Sequence, residues 1–425
     1  MTRRHRRWLL LAAVVMMAAA LRVGPALLWR PPALEGEVPR DGWVRVSGVA
    51  HVHTTLSDGA GTPAEVARAA REAGAAFVVV TDHNSDAARA FSGYRDGVLV
   101  LVGAEITVHQ GHLLGLGMRP LAFPPGVDAR NALDDVHHLG GSAFAAHPTS
   151  PRAELAWSGW ELGGAWGLEV LNADSLWRRA PWPALLGGLV AYPFAPARAI
   201  ARSLDRPGEA IARWDALLRR RDAAGVAGVD AHGLPSYENL FRVLRNHVLL
   251  DAPLSGEAAR DAAAVHEALA RGRSYMAVEA LAPAGGFFFH AARGDDRWQM
   301  GDTVAPAPDL VLRAGGRLPR GARVELYRNG ARIATGEGGI ELAAREPGAY
   351  RVEVRLAGRD VPWILSNPIY VHGGVEAIVR ARRAGWPPAA PPPPAVARAL
   401  DAFGDGSAVA AESDPDTWID PDVRV

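Results

Sequence analysis

The sequence predicts an α/β fold built on a parallel sheet or barrel, followed by a small all-β module. Three observations point there. From Trp43 to about Val278 short apolar runs alternate with helical stretches, the pattern of a parallel sheet or barrel rather than a sandwich. After about Gly285 short alternating runs are separated by turns, as in strands joined by hairpins. Hydrophobic residues make up 49% and charged residues 22% of the 425, a globular balance with enough chain for about two or three domains.

The elements follow in order. The chain opens with the basic cluster Thr2-Arg3-Arg4-His5-Arg6-Arg7 and then runs apolar from Trp8 to Leu21. About 14 apolar residues suit a signal peptide better than a membrane span of roughly 20. Residues 1–30 are therefore expected to be a signal peptide, with Ala18-Ala19-Ala20 as cleavage site, or an uncleaved anchor extending to Trp29. Either reading makes the protein exported, periplasmic or membrane-anchored facing the periplasm or outside. Association with a membrane would run through this segment. Residues 30–42 read as a linker.

A domain over 43–282 is expected next. Its strand candidates are Val44–Val49, Ala76–Thr81, Val98–Val102, Ala143–Ala146, Leu168–Leu171 and Val226–Val229. Thr62-Pro63-Ala64-Glu65 opens a helix as a capping box with proline at the first helical position. Residues 174–222 form an insertion rich in Trp, Pro and Leu: a helical lid, a membrane-facing cap, or simply packed helices. An immunoglobulin-like β-sandwich module follows over 285–372, with Asn329-Gly330 as its strongest hairpin signal. Residues 373–425, rich in Ala, Arg and Pro, read as a disordered tail.

Composition excludes several chemistries. Lys+Arg and Asp+Glu both total 46, so bulk charge indicates no nucleic-acid-binding patch. The chain has neither cysteine nor lysine, which excludes a thiol nucleophile, a Cys-zinc site, a Schiff base and a Walker lysine. His, Asp, Glu, Ser and bound metal remain.

The metal-competent residues fall at strand ends. Val44–Val49 runs into His51 and His53, with Asp58 in the loop beyond; Ala76–Thr81 runs into Asp82-His83-Asn84. Val98–Val102 leads to Glu105, His112 opens the next apolar run, Ala143–Ala146 ends in His147, and Val226–Val229 ends in Asp230 and His232. In an α/β barrel the carboxyl ends of the strands open on one face, so these groups would converge. Residues i and i+2 of a strand point the same way, so His51/His53 and Asp230/His232 can each reach one cation. Imidazole with carboxylate suits Zn, Mn or Fe. Each piece alone is weak. Together, six of the 14 histidines lie at a strand edge beside small or apolar residues, and a buried cluster of that size without a metal would be costly.

Gly48-Val49-Ala50-His51-Val52-His53-Thr54-Thr55-Leu56-Ser57-Asp58-Gly59, Val80-Thr81-Asp82-His83-Asn84, Gly103-Ala104-Glu105-Ile106, Gly111-His112-Leu113-Leu114, Ala146-His147-Pro148 and Asp230-Ala231-His232-Gly233 together resemble the motifs of PHP-domain (polymerase and histidinol phosphatase) metallohydrolases. Trp363-Ile364-Leu365-Ser366-Asn367-Pro368-Ile369-Tyr370 and the β-module are similar to the exported carbaryl-hydrolase-like (CehA/McbA-like) branch.

The resemblance implies a distorted (β/α)7 barrel with two or three divalent metal ions (Mn, Zn or Fe) at its carboxyl-end face. By motif position His51, His53, Glu105 and Asp230 would hold one; Glu105, His112 and His147 a second; Asp58, His83 and His232 a third. The insertion and the β-module depart from a minimal PHP phosphatase.

The function expected is a metal-dependent hydrolase, foremost a phosphoesterase acting on a small-molecule phosphate ester. A metal cluster brings the pKa of bound water to about 7, so a bridging hydroxide serves as nucleophile. Glu105, Asp230 and His232 are the catalytic candidates, Asp230 or His232 as proton shuttle. Arg152 and Arg89 are weaker phosphate-clamp candidates; Asn84, Asp82 and Glu169 are read as turn or supporting residues, and His109 as surface. Two alternatives stay open: an ester, carbamate or amide hydrolase using the same hydroxide, towards which Trp157, Trp160, Trp166, Trp177 and Trp182 lean, and an exported binding module with an inactive barrel.

Overall fold

A computed structural model describes residues 4–10, 12–14, 16–17, 33–122 and 124–373. The Ala18-Ala19-Ala20 cleavage candidate and the tail from 374 onward lie outside the described residues. No helix among the described residues is long and apolar enough to cross a membrane.

The fold is mixed α/β. Strands β1 (Val44–Val52), β2 (Phe77–Val80) and β3 (Val98–Val102) pair in parallel in that order. A second sheet runs β8 (Gly225–Gly228), β7 (Gly167–Asn172), β6 (Ser142–Ala145), β5 (Gly111–Leu116) and β4 (Ala104–Val108). Hydrogen bonds seam the two sheets at both edges. Val229 N donates to Ala50 O at 3.0 Å and His53 N to Ala231 O at 3.0 Å; Asn84 N donates to Glu105 O at 2.8 Å and Glu105 N to Asp82 O at 3.1 Å.

The expected strands are present with ends shifted by one to three residues, but the pairing is not all parallel. The sequence reading has Val98–Val102 end at Gly103; the chain instead bends there and continues as β4, which pairs antiparallel with β5. A Cβ on Gly103 would lie 2.3 Å from Gly115 O, so the bend needs glycine. The antiparallel return brings the first turn of β5, and His112 with it, to the rim where the parallel strands end.

Alternate residues sort into two clusters. Val78, Val80, Val100 and Val102 join one, while Phe77, Val79, Leu99 and Leu101 join the other. Both strand faces are thus buried, as continuous Val/Leu runs require. Helix α1 (Pro63–Glu72) carries the expected reciprocal cap between Thr62 and Glu65, with Pro63 in its first turn.

The insertion is helical: α2 (Ala173–Arg178), α3 (Trp182–Ala191), α4 (Pro196–Ser203) and α5 (Gly208–Leu218). α5 is packed through the fully buried Trp214. Of the tryptophans read as leaning towards an apolar substrate, Trp157 and Trp166 are core residues with ring centroids 5.7 Å apart, and only Trp182 is exposed.

From Phe287 to Val371 the described elements are all strands. Arg323–Arg328 and Ala331–Glu337 form the expected hairpin, with Asn329 and Gly330 both at positive φ (52° and 87°). These strands join the large sheet: Ile364–Ser366 pairs antiparallel with Ser274–Val278, which pairs with Leu244–Leu250, itself antiparallel to β1. A buried fork ties the β-rich part to the insertion, with Arg351 donating from Nε and Nη2 to both carboxylate oxygens of Asp215 at 2.7 Å.

Candidate metal centre

All nine residues read from the motifs meet at the rim. Glu105 is the hub. Its Oε1 lies 2.8 Å from His112 Nδ1 and 2.8 Å from His147 Nε2; its Oε2 lies 3.0 Å from His53 Nε2, 3.1 Å from His51 Nε2 and 3.4 Å from His83 Nδ1. Five imidazoles therefore surround one buried carboxylate, divided between its two oxygens. Asp230 Oδ1 faces His51 and His53 at 3.5 and 3.6 Å. Asp58, on the open side, faces His232 at 3.2 Å, His53 at 3.4 Å and His83 at 3.6 Å.

Four groups bring their ligand atoms within 4.8 Å of one another: His53/Asp58/His83/His232, His51/Glu105/His147, His51/His53/Asp230 and His83/Glu105/His112. They share members, as a multinuclear centre would require. The partition differs in detail from the motif-based one, since His83 also belongs beside Glu105 and His112, and His53 beside Asp58.

The donor set fits divalent cations. His51 and His53 are fully buried, yet His51 Nε2 and both His53 ring nitrogens lack an aligned hydrogen-bond partner, a costly state for polar atoms unless a cation takes them. Burial opposes protonation of His51, but the charges of Glu169, Glu105 and Asp230 outweigh it and hold its pKa well above 6.5. For His53, burial is again overcome, by the nearby carboxylates of Asp230 and Glu105, and the pKa rises to about 9. Glu105 is held well below the usual carboxylate range: burial opposes ionisation, while the charge on His51 and hydrogen bonds from His112 and His147 win. A divalent ion held here would supply the positive charge that protons on His51 and His53 otherwise provide, and would displace them.

The backbone is strained here. His51, His147 and Asp230 have positive φ (65°, 26° and 52°), a conformation non-glycine residues avoid and one that concentrates at functional sites. The turn at His51 interrupts the strand alternation, so the i, i+2 rule does not describe how His51 and His53 converge.

Supporting residues resolve clearly. Glu169, fully buried, accepts from His51 Nδ1 at 2.9 Å, from the His147 backbone N–H and from Asn172 Nδ2 at 3.0 Å. It therefore orients two histidines at once. Asp82 supports the site through its loop, not through a histidine: it accepts from Thr54 N at 2.7 Å, Thr54 Oγ1 at 2.8 Å and Ser57 Oγ at 2.6 Å, bracing the segment that carries Asp58. Asn84 closes its turn through Thr107. Arg152 and Arg89 are engaged by Asp174 and Asp86, and His109 is exposed.

Sequence reasoning missed Arg179, which shares a small cavity with His147, Thr149 and Glu169 and bonds Thr149 O and Glu209. Its distance along the chain from every motif left no signal.

No protein-family model matches the chain. An uncharacterized protein of Methanocaldococcus jannaschii is 28% identical over 115 residues, which span 24% of this chain and 67% of that protein. Among solved structures, a two-domain protein from Bacteroides vulgatus containing a predicted PHP-like metal-dependent phosphoesterase is similar at 14% identity, covering 80% of this chain and 99% of that one with a TM-score of 0.38. An amidohydrolase from Chromobacterium violaceum with bound sulfate and no metal is similar at 19% identity, covering 43% and 87%, with a TM-score of 0.26. These likenesses are distant, and the chemistry rests on the nine side chains.

Proposed function

We propose that this chain is a metal-dependent hydrolase of the PHP type, foremost a phosphoesterase, with its two seamed sheets read as a distorted seven-stranded barrel over residues 43–282. The observation that carries the reading is the division of one buried carboxylate, Glu105, between two sets of imidazoles. That arrangement suits a bridging ligand between adjacent cations.

The ligands assigned are His51, His53, Asp58, His83, Glu105, His112, His147, Asp230 and His232. Bound Mn, Zn or Fe would supply an activated water and charge stabilisation for the transition state. The residues do the rest. Glu169 accepts the Nδ1 proton of His51 and so leaves Nε2 free to ligate. Asp82 holds the Asp58 loop. His232, whose side chain is 35% exposed, stands where a proton can pass between the cluster and solvent.

The runner-up, an ester, carbamate or amide hydrolase, is favoured by one observation: Arg89, Arg152 and Arg179 each already have a carboxylate partner. The N-terminal basic–apolar segment supports export or anchoring, and the strands of 285–372 support an immunoglobulin-like module.

The test is a screen of metal-loaded full-length protein against phosphomonoesters, phosphodiesters and aryl carbamates, with metal content measured in parallel. Glu105→Gln should lower turnover by more than about 100-fold, beyond what loss of an outer partner costs, while the fold persists. Full turnover in Glu105→Gln, or no transition metal retained under any loading, would overturn the assignment.

A further inference from the structure

Helix α3 is apolar where a surface helix should be polar. From Pro181 to Ala197 the chain carries no charged residue, and from Ser175 to Leu204 it carries no Asp or Glu but four arginines: 178, 179, 198 and 202. α3 and α4 pack against one another. α4 buries Ala199, Ile200 and Ala201, whereas α3 buries only Ala191. Trp182, Leu189 and, just beyond the helix, Phe194 are 73%, 72% and 65% exposed; Leu186 and Val190 are exposed beside them. Positions 182, 186, 189 and 190 recur at helical spacing and share one face. A contiguous apolar face on a surface helix marks an interaction site.

We infer that the α3–α4 hairpin is a membrane-surface docking element that seats on an anionic lipid bilayer. Three observations select this occupant. α3 has ten residues, about 15 Å of helix, too short to span a bilayer but long enough to lie in its interface. Trp182 and Phe194 put aromatic rings at the two ends of the apolar face, where headgroups meet acyl chains. Arg178 and Arg179 are paired with Asp174 and Glu209, but Arg198 and Arg202 of α4 flank that face with no acidic residue between Ser175 and Leu204, which complements anionic headgroups, whereas a second copy docked symmetrically would bring like charges together.

The helix before the hairpin, α2, begins where β7, the strand of Glu169, ends, and its Ser175 and Leu176 line the same cavity as His147.

The chain has no cysteine, so a single introduced thiol can report on one position. Full-length Leu189→Cys, labelled with a polarity-sensitive fluorophore, is mixed with phosphatidylglycerol vesicles and separately with phosphatidylcholine vesicles. Glu341→Cys, exposed in the β-rich part, is the control. Docking predicts a blue shift and rise in emission at 189 on phosphatidylglycerol, a weaker response or none on phosphatidylcholine, and none at 341. No change at 189 on either vesicle overturns it, as does equal response at both positions. A shift without lipid that grows with protein concentration overturns it in favour of a second copy. The readout needs neither metal nor turnover, so it fails or succeeds independently of the hydrolase assignment.

Discussion

Replacing Glu169 by glutamine should weaken metal binding without touching a ligand. The carboxylate accepts from His51 Nδ1 through one oxygen, and from the His147 N–H and Asn172 Nδ2 through the other. Asn172 cannot rotate its amide to compensate, because its Oδ1 caps α2 by accepting from Ser175 N at 2.7 Å. A glutamine therefore has two poor choices. With its NH2 towards His147 and Asn172, a donor meets two donors, each buried unsatisfied group costing about 1–3 kcal/mol. With its NH2 towards His51, the imidazole moves its proton to Nε2 and loses the atom that faces Glu105.

Either way affinity should fall by roughly 10–100-fold, the range seen when a ligand's outer partner is lost. The assay is competition of wild type and Glu169→Gln against a calibrated chelator for Mn and Zn, with circular dichroism to establish that both are folded. Equal affinity in a folded variant would refute the argument and leave Glu169 with a packing role only.

Other predictions follow from the same geometry. In Gly228→Ala the new Cβ would fall 1.3 Å from Glu169 Oε1 and 2.9 Å from the Cβ of His51; chelator competition should show a loss of metal affinity at least as large as in Glu169→Gln, with about 1–3 kcal/mol of destabilisation from overpacking. Asp215→Ala leaves the Arg351 guanidinium without its bidentate partner in a buried position, and denaturant unfolding should show a loss of about 3 kcal/mol or more. His266 is half-buried with its Nε2 atom enclosed and unpaired, and desolvation, aided by Arg89, pushes its pKa from 6.5 down to about 4. Its folded pKa lies below the unfolded one, so its stabilising contribution is complete above pH 6.5 and is lost as pH falls from 6.5 to 4. The ceiling is about 3 kcal/mol at roughly 1.4 per pKa unit. His266→Leu should flatten the fall in melting temperature between pH 7 and 4.5 relative to wild type; an unchanged difference would exclude that residue as the source.

Residues that face the cluster and residues that brace it differ in how far the sequence alone reveals them. His51, His53, His83, His147, Asp230 and His232 could be read because each follows an apolar run of strand length, a pattern that is local in sequence. The capping box at Thr62 and the Asn329-Gly330 hairpin were legible for the same reason: one turn of backbone carries the whole signal. Glu169 was ambiguous because its partners, His51 and His147, are far from it along the chain, and Arg179 was invisible because nothing near it in sequence marks a cavity wall. The tryptophans misled because their number says nothing of their burial; Trp157 and Trp166 pack on each other, and only packing distinguishes them from Trp182.

By itself the order of residues determined the secondary-structure alphabet, the chemistry left without cysteine or lysine, and the placing of His, Asp and Glu at strand ends, since these follow from local periodicity and residue type. The tertiary structure decided how they are shared. The bend at Gly103 sends β4 back as a hairpin and carries His112 to the rim, and the left-handed turns at His51, His147 and Asp230 aim neighbouring groups where strand alternation would not. It also decided which apolar residues are left facing solvent on α3. These outcomes depend on contacts between distant segments, and no window of sequence contains both partners of such a contact.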